Sequence, residues 1–151
     1  MTYIEGRNLF RSQLKVFFGI NEIDFYYKVI LKSFFKIEPT AISLDSETVF
    51  LPAKVKIIKA VLQRLLNEEP LQYILGTTSF RTLELQVTPD VLIPRPETEE
   101  LVKWVLEDYK SINHKHVVID MGTGSGCIAI SLAKEQPLFN ITALDLSLIH
   151  I

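Results

Sequence analysis

A chain of 151 residues, 48% hydrophobic and 23% charged, holds enough apolar material for a core, which excludes global disorder, and its length suits one domain or a small domain with part of another. A net charge of −2 gives no overall basic field for nucleic acid, and a single cysteine, Cys127, excludes both an internal disulfide framework and a cysteine-based zinc site. The N-terminus MTYIEGRNLF lacks a basic-then-apolar signal pattern and no stretch reaches the roughly 20 apolar residues of a membrane span, so the expectation is a cytoplasmic protein without a membrane partner.

The charge is unevenly spread. Residues 1–75 carry ten Lys and Arg against eight Asp and Glu, whereas residues 76–151 carry six against ten. A mildly basic front half suits an RNA-associated or acidic partner, or no more than a solvated helical surface.

The first elements read as helices. One lies near residues 5–18. In residues 22–36, Ile23, Tyr26, Ile30 and Phe34 recur at helical spacing and Phe35 broadens the stripe. Val55, Ile58, Leu62 and Leu65 do the same in residues 53–67, with Pro52 at a helix start and Lys54, Lys56, Lys59 and Arg64 on the polar side. Residues 1–75 are therefore expected to form a bundle of three or four helices.

The pattern then changes to period two. Leu83, Leu85 and Val87 alternate with Thr82, Glu84 and Gln86, which predicts a half-buried strand. Thr88-Pro89-Asp90 reads as a turn and Val91-Leu92-Ile93 as a short return strand, so residues 76–95 are expected to be a β-hairpin linker. The segment PRPETE (94–99) opens an amphipathic helix carrying Leu101, Val102, Trp104, Val105 and Leu106; Pro96 fits its first turn, and Glu97, Glu99 and Glu100 complement its positive end. Arg95, stiffened by a proline on each side, is either an ion-pair partner for Glu97 or Glu99 or a residue facing a ligand.

From residue 116 the order is strand, loop, helix, strand. HVVID (116–120) suits a parallel strand, MGTGSG (121–126) is a glycine-rich loop, Cys127 to Lys134 start a helix, and NITALD (140–145) is a second strand ending in an acid. That is one β-α-β unit. Glycines let a ligand approach bare backbone, the following helix offers unpaired N–H groups, and Asp145 at the next strand tip can accept hydrogen bonds from ribose hydroxyls. Three readings stay open at this point. Gly124-x-Gly126-x-x-Ala129 matches a nicotinamide dinucleotide fingerprint with the acid nineteen residues after Gly126. Asp120 ahead of the loop, together with the extra Gly122, favours S-adenosylmethionine, because an acid there holds a cationic amine and repels a pyrophosphate. A β-α turn without any ligand is the third, with Asp120 and Asp145 as capping acids. Cys127 reads as a packing residue, Phe80 and Tyr73 as core, and His114, His116 and His150 show no metal-ligand spacing.

Three segments, PLQYILG (70–76), VLIPRPETE (91–99) and IDMGTGSGCIA (119–129), occur in an order and spacing that resemble the bacterial protein-glutamine N5-methyltransferases called PrmC or HemK. The resemblance covers nearly the whole chain. It implies an N-terminal α-helical substrate-recognition domain (residues 1–75), the β-hairpin linker (76–95), and the start of a Rossmann-like class I methyltransferase domain (96–151). It implies S-adenosylmethionine as cofactor and, as substrate and partner, the glutamine of the Gly-Gly-Gln motif of peptide chain release factors. Carried over by position, Gly122, Thr123, Gly124, Ser125, Gly126, Asp145 and Asp120 would bind the cofactor, with Arg95, Glu97 and Thr98 beside its pocket. No metal site and no direct nucleic-acid contact are expected.

The chain departs from the family in two places. The family's Asn-Pro-Pro-Tyr motif, which grips the substrate amide, does not occur in the 151 residues, so the expectation is an N-terminal fragment with no catalytic residue of its own, inactive alone. The tail LIHI (148–151) does not resemble the alanine-rich helix that follows Asp-x-Ser in the family and reads as a non-native junction or sequencing artefact. Two alternatives accompany this reading: a non-catalytic release-factor-binding module and a fragment of an NAD(P)-dependent oxidoreductase.

Overall fold

The computed structural model describes residues 1–146; the tail 148–151, with His150, lies outside them. The chain divides into two compact units, Met1–Leu75 and a second one from Gly76 onward. The first is helical and the second holds two small sheets. No helix among the described residues is long and apolar enough to cross a membrane.

The first unit is built from α1 (Tyr3–Leu14), α2 (Ile20–Phe35), α3 (Pro39–Leu44), α4 (Pro52–Leu66) and α5 (Leu71–Leu75). A capping box starts α1: the Glu5 N–H donates to Thr2 Oγ1 (3.2 Å) and the Thr2 N–H to Glu5 Oε2 (2.8 Å), satisfying two otherwise orphaned donors. The helix ends four residues earlier than the pattern suggests, because the amides of Phe17 and Phe18 both turn back to the Leu14 carbonyl. Pro39 and Pro52 open α3 and α4, where a missing N–H costs nothing. The short α3 and α5 add to the three or four helices expected; each is too brief to show a helical period.

The buried face of α2 is Ile23, Tyr27, Ile30 and Leu31, not the expected stripe through Tyr26 and Phe34. Phe34 is exposed, and Tyr26 is half-buried with its hydroxyl donating to Glu22 Oε1 (2.6 Å). Either tyrosine satisfies the period. The choice falls on Tyr27 because its hydroxyl donates to the Tyr3 carbonyl of α1 (2.8 Å) while its ring lies over Gly6. A Cβ at residue 6 would stand 2.4 Å from that hydroxyl, so glycine is what lets α1 and α2 close. On α4, Ile58, Val61, Leu62 and Leu65 are buried, and together with Phe10, Leu14 and Phe50 they complete one core.

In the second unit β1 (Thr77–Phe80) and β2 (Leu83–Gln86) form an antiparallel hairpin in which Phe80 faces Leu83. The hairpin is thus displaced from the expected one. Its turn is Arg81-Thr82, and residues 91–93, expected as the return strand, are not in a strand. Period two places Phe80, Leu85 and Val87 inward, but the partner that satisfies their backbone lies upstream, at 77–80, rather than downstream of Pro89. Then follow α6 (Pro96–Asp108), β3 (His116–Met121), α7 (Cys127–Glu135) and β4 (Phe139–Leu144). Strands β3 and β4 pair in parallel, His116 with Phe139 through Met121 with Leu144. The hairpin shares its core with this unit: Phe80 and Leu85 pack with Val102, Cys127, Leu132 and Phe139. Burial along β3 alternates, leaving Val117, Ile119 and Met121 exposed on the opposite face.

Candidate functional site

The glycine-rich loop joins the end of β3 to α7, at the end of the sheet where β4 also stops. Gly122, Gly124 and Gly126 all have positive φ (77°, 54° and 77°), a conformation L side chains adopt only with strain. The amides of Gly122 and Thr123 both donate to the Leu144 carbonyl (2.7 and 3.0 Å), which extends the β3–β4 pairing into the loop. The Gly126 amide donates to the Thr123 carbonyl (2.8 Å), and the Ile130 amide returns to Gly126 (2.8 Å) to start α7.

Two carboxylates frame this loop. Asp120 Oδ2 accepts from Thr123 Oγ1 (2.8 Å) and from the Ala129 N–H in the first turn of α7 (3.2 Å). A negative group there also meets the positive end of the helix dipole. At the tip of β4, Asp145 Oδ2 accepts from the Gly124 N–H (2.8 Å), a charge-assisted bond that pins the middle of the loop. Asp120, Thr123, Gly124 and Asp145 are thereby brought together, although Gly124 and Asp145 are 21 positions apart in the chain. A Cβ at Gly122 or Gly124 would meet nothing within 4 Å, so the backbone there is bare to a ligand; at Gly126 it would press on Ile130 Cδ1 at 3.0 Å, so that glycine also serves packing. Cys127 is buried, and burial pushes its thiol above the ordinary range, which suits a packing residue.

The remaining expected residues stand at the start of α6. Arg95 is its N-cap; Arg95 and Glu97 are exposed and Thr98 is half-buried, its amide donating to the Arg95 carbonyl (3.0 Å). Among the described residues none of the three has a side-chain hydrogen bond to the glycine loop. Glu99, weighed as a partner for Arg95, instead holds Arg81: its carboxylate accepts from the Arg81 amide (2.9 Å) and its carbonyl from Nη1 (3.3 Å). Arg81 also grips both oxygens of Glu135 through Nε (2.8 Å) and Nη2 (2.7 Å). That fork holds the Glu135 carboxyl below its ordinary range and raises the guanidinium further. Nothing in the local sequence pattern signalled Arg81. His114 and His116 lie ring against ring, with centroids 4.4 Å apart, at the opposite end of β3 from the loop.

The PrmC N-terminal domain family matches residues 9–76. Over 143 residues the chain is 39% identical to a release factor glutamine methyltransferase of Flavobacterium psychrophilum, covering 93% of this chain and 50% of that protein. Proteins of the same name from Coxiella burnetii (49% identical, 60% of this chain and 32% of that protein) and Bacillus subtilis (51%, 52% of this chain and 28% of that protein) align over shorter stretches. The chain thus spans between 28% and 50% of the length of these relatives. A helical front followed by small sheets accords with the PrmC N-terminal domain and the start of a methyltransferase fold. The domain match, the named relatives and the helical front agree: residues 9–76 match the PrmC N-terminal domain family, and the chain is similar to release factor glutamine methyltransferases over most of its own length.

Proposed function

We propose that the chain serves S-adenosylmethionine-dependent methylation of the glutamine side-chain amide in the Gly-Gly-Gln motif of release factors. Residues 1–75 take the role of substrate-recognition domain, 76–95 join it to the rest, and 96–151 belong to a Rossmann-like class I methyltransferase domain. The observation that carries this reading is the loop itself, bare at Gly122 and Gly124 and framed by Asp120 and Asp145 at the ends of neighbouring parallel strands. The names of the relatives point to the same activity.

The residues present suit a nucleoside with a cationic tail. A carboxylate offers about four acceptor positions, so Asp145 can keep the Gly124 amide and still accept from ribose hydroxyls. Asp120 caps the loop through Oδ2, and its other oxygen suits an ammonium group; a pyrophosphate beside two carboxylates would be repelled. Gly122 to Gly126 supply close backbone approach, with Thr123 and Ser125 as polar neighbours. Arg95, Glu97 and Thr98 would flank the pocket from α6. S-adenosylmethionine supplies an electrophilic methyl on its sulfonium. The protein's part at this site is binding and orientation, which dominate when the acceptor is an amide nitrogen whose lone pair is delocalised.

Calorimetric titration of the chain with S-adenosylhomocysteine, with NADH in parallel, tests the site. Saturable binding of the first alone, weakened at least tenfold by Asp145→Ala, is expected, since a charged hydrogen-bond acceptor is worth roughly 1.5–3 kcal/mol. Binding of NADH alone would favour the oxidoreductase alternative. Retention of a purified release factor by the immobilised chain tests the substrate; no retention would remove both the recognition role and the binding-module alternative.

A further inference from the structure

We infer that Arg81, in the turn of the β1–β2 hairpin, is a positioning residue for the glycine loop; its consequence for the cofactor rests on the function proposed above. Arg81 has φ of 51°, a left-handed conformation that glycine or asparagine adopts at lower cost. A long cation at such a position is explained by what its side chain does.

The guanidinium and amide of Arg81 make four hydrogen bonds to two helices. Nε and Nη2 fork onto both oxygens of Glu135, the last residue of α7, while the amide and Nη1 hold the carboxylate and carbonyl of Glu99 in the first turns of α6. The next residue of the turn joins in: the carbonyl and hydroxyl of Thr82 both accept from Lys134 Nζ (3.4 Å each). The pair is shielded, with the Arg81 and Glu135 side chains 20% and 30% exposed, and a bidentate fork fixes direction as well as distance.

What the bracket fixes is the axial position of α7. That helix has nine residues, about 13 Å at helical rise, and moves as a rigid rod. Its far end carries Gly126 and the Ala129 amide that Asp120 holds. The other arm of the bracket sets the start of α6, where Arg95, Glu97 and Thr98 stand. One turn residue therefore governs the beginnings of both helices that the proposed site uses, without touching that site.

The test compares Arg81→Ala, Arg81→Gly and Arg81→Lys in the whole chain by amide hydrogen exchange without ligand and by S-adenosylhomocysteine titration. Arg81→Gly removes the fork and also relieves the turn, so it guards against simple misfolding. Expected is faster exchange confined to residues 122–129, with β3 and β4 amides unchanged. A fall in affinity of about fivefold, within the range for residues acting through packed elements, should accompany it, with partial recovery in Arg81→Lys. Unchanged exchange, or a uniform rise across the second unit, would overturn the positioning role. If the parent chain takes no S-adenosylhomocysteine yet loop exchange responds selectively, the positioning role stands and the proposed function fails.

Discussion

In the first unit the apolar faces of α1, α2 and α4 close on one another around Phe10, Tyr27, Ile30 and Ile58, all fully buried. In the second, β3 buries one side against α6 and α7 while Val117, Ile119 and Met121 stay 58–80% exposed on the other. An apolar run is buried only where a second layer exists to receive it.

The largest expected contrast uses one residue type in both places. Ile30→Ala should cost about 2–5 kcal/mol, the range for emptying a packed site, whereas Ile119→Ala should stay within about 0.5 kcal/mol, as exposed substitutions do. Urea unfolding followed by circular dichroism measures both; equal losses would erase the contrast.

The closeness of helix packing in the first unit can be broken at one atom. Gly6→Ala drives a methyl into Tyr27 and should cost about 1–3 kcal/mol, as overpacking does. Adding Tyr27→Phe removes the oxygen that is struck first and should recover part of the loss; no recovery in the double variant would show that backbone, not the phenol, sets the helix spacing.

Acid tests both units through their charges. Arg11 holds the Asp24 carboxyl below its ordinary 3.8, chiefly through their hydrogen bonds, and Arg81 holds Glu135 below 4.5 in the same way. A folded-state value below the unfolded one means stability that is present above the unfolded value and is lost as pH falls through the folded one. Each unit should therefore lose about 1 kcal/mol, the upper range for partly exposed pairs, as the solution is acidified below those ordinary values. Arg11→Ala should flatten this loss in the first unit, and Arg81→Ala in the second. An unaltered acid limb in either variant would remove its pair from the account.

The smallest effect is a gain. Lys36 ends α2 in the left-handed region at φ 57°, so Lys36→Gly should raise the thermal midpoint of the first unit by the equivalent of about 1 kcal/mol or less. A fall would mean that the lysine side chain contributes more than its backbone strain costs.

The helices of the first unit and the β-α-β unit with its glycine loop were legible because their signals are local: period, proline placement, and glycines followed by an acid. The face of α2 was not, since Tyr26 and Tyr27 both fit the period and the deciding partner, Gly6, lies on another helix. The hairpin slipped for a related reason. Alternation identifies a strand but not its neighbour, and the Thr-Pro-Asp turn signal was stronger than Arg81-Thr82, whose role depends on acids 18 and 54 positions away. At the candidate site the sequence singles out the residues but not the bonds among them, because the Asp120–Thr123 and Gly124–Asp145 contacts exist only once the strands are in register.

The bond between the Gly124 amide and Asp145 has a spectroscopic consequence. An amide proton aimed at a carboxylate sits in that group's field, and its resonance registers how much of the negative charge is directed toward it. Anything else that draws on the same carboxylate changes that field. For the site proposed above, the Gly124 signal in an amide correlation spectrum is therefore expected to report occupancy of Asp145, even by a ligand group bound on the far side of the carboxylate.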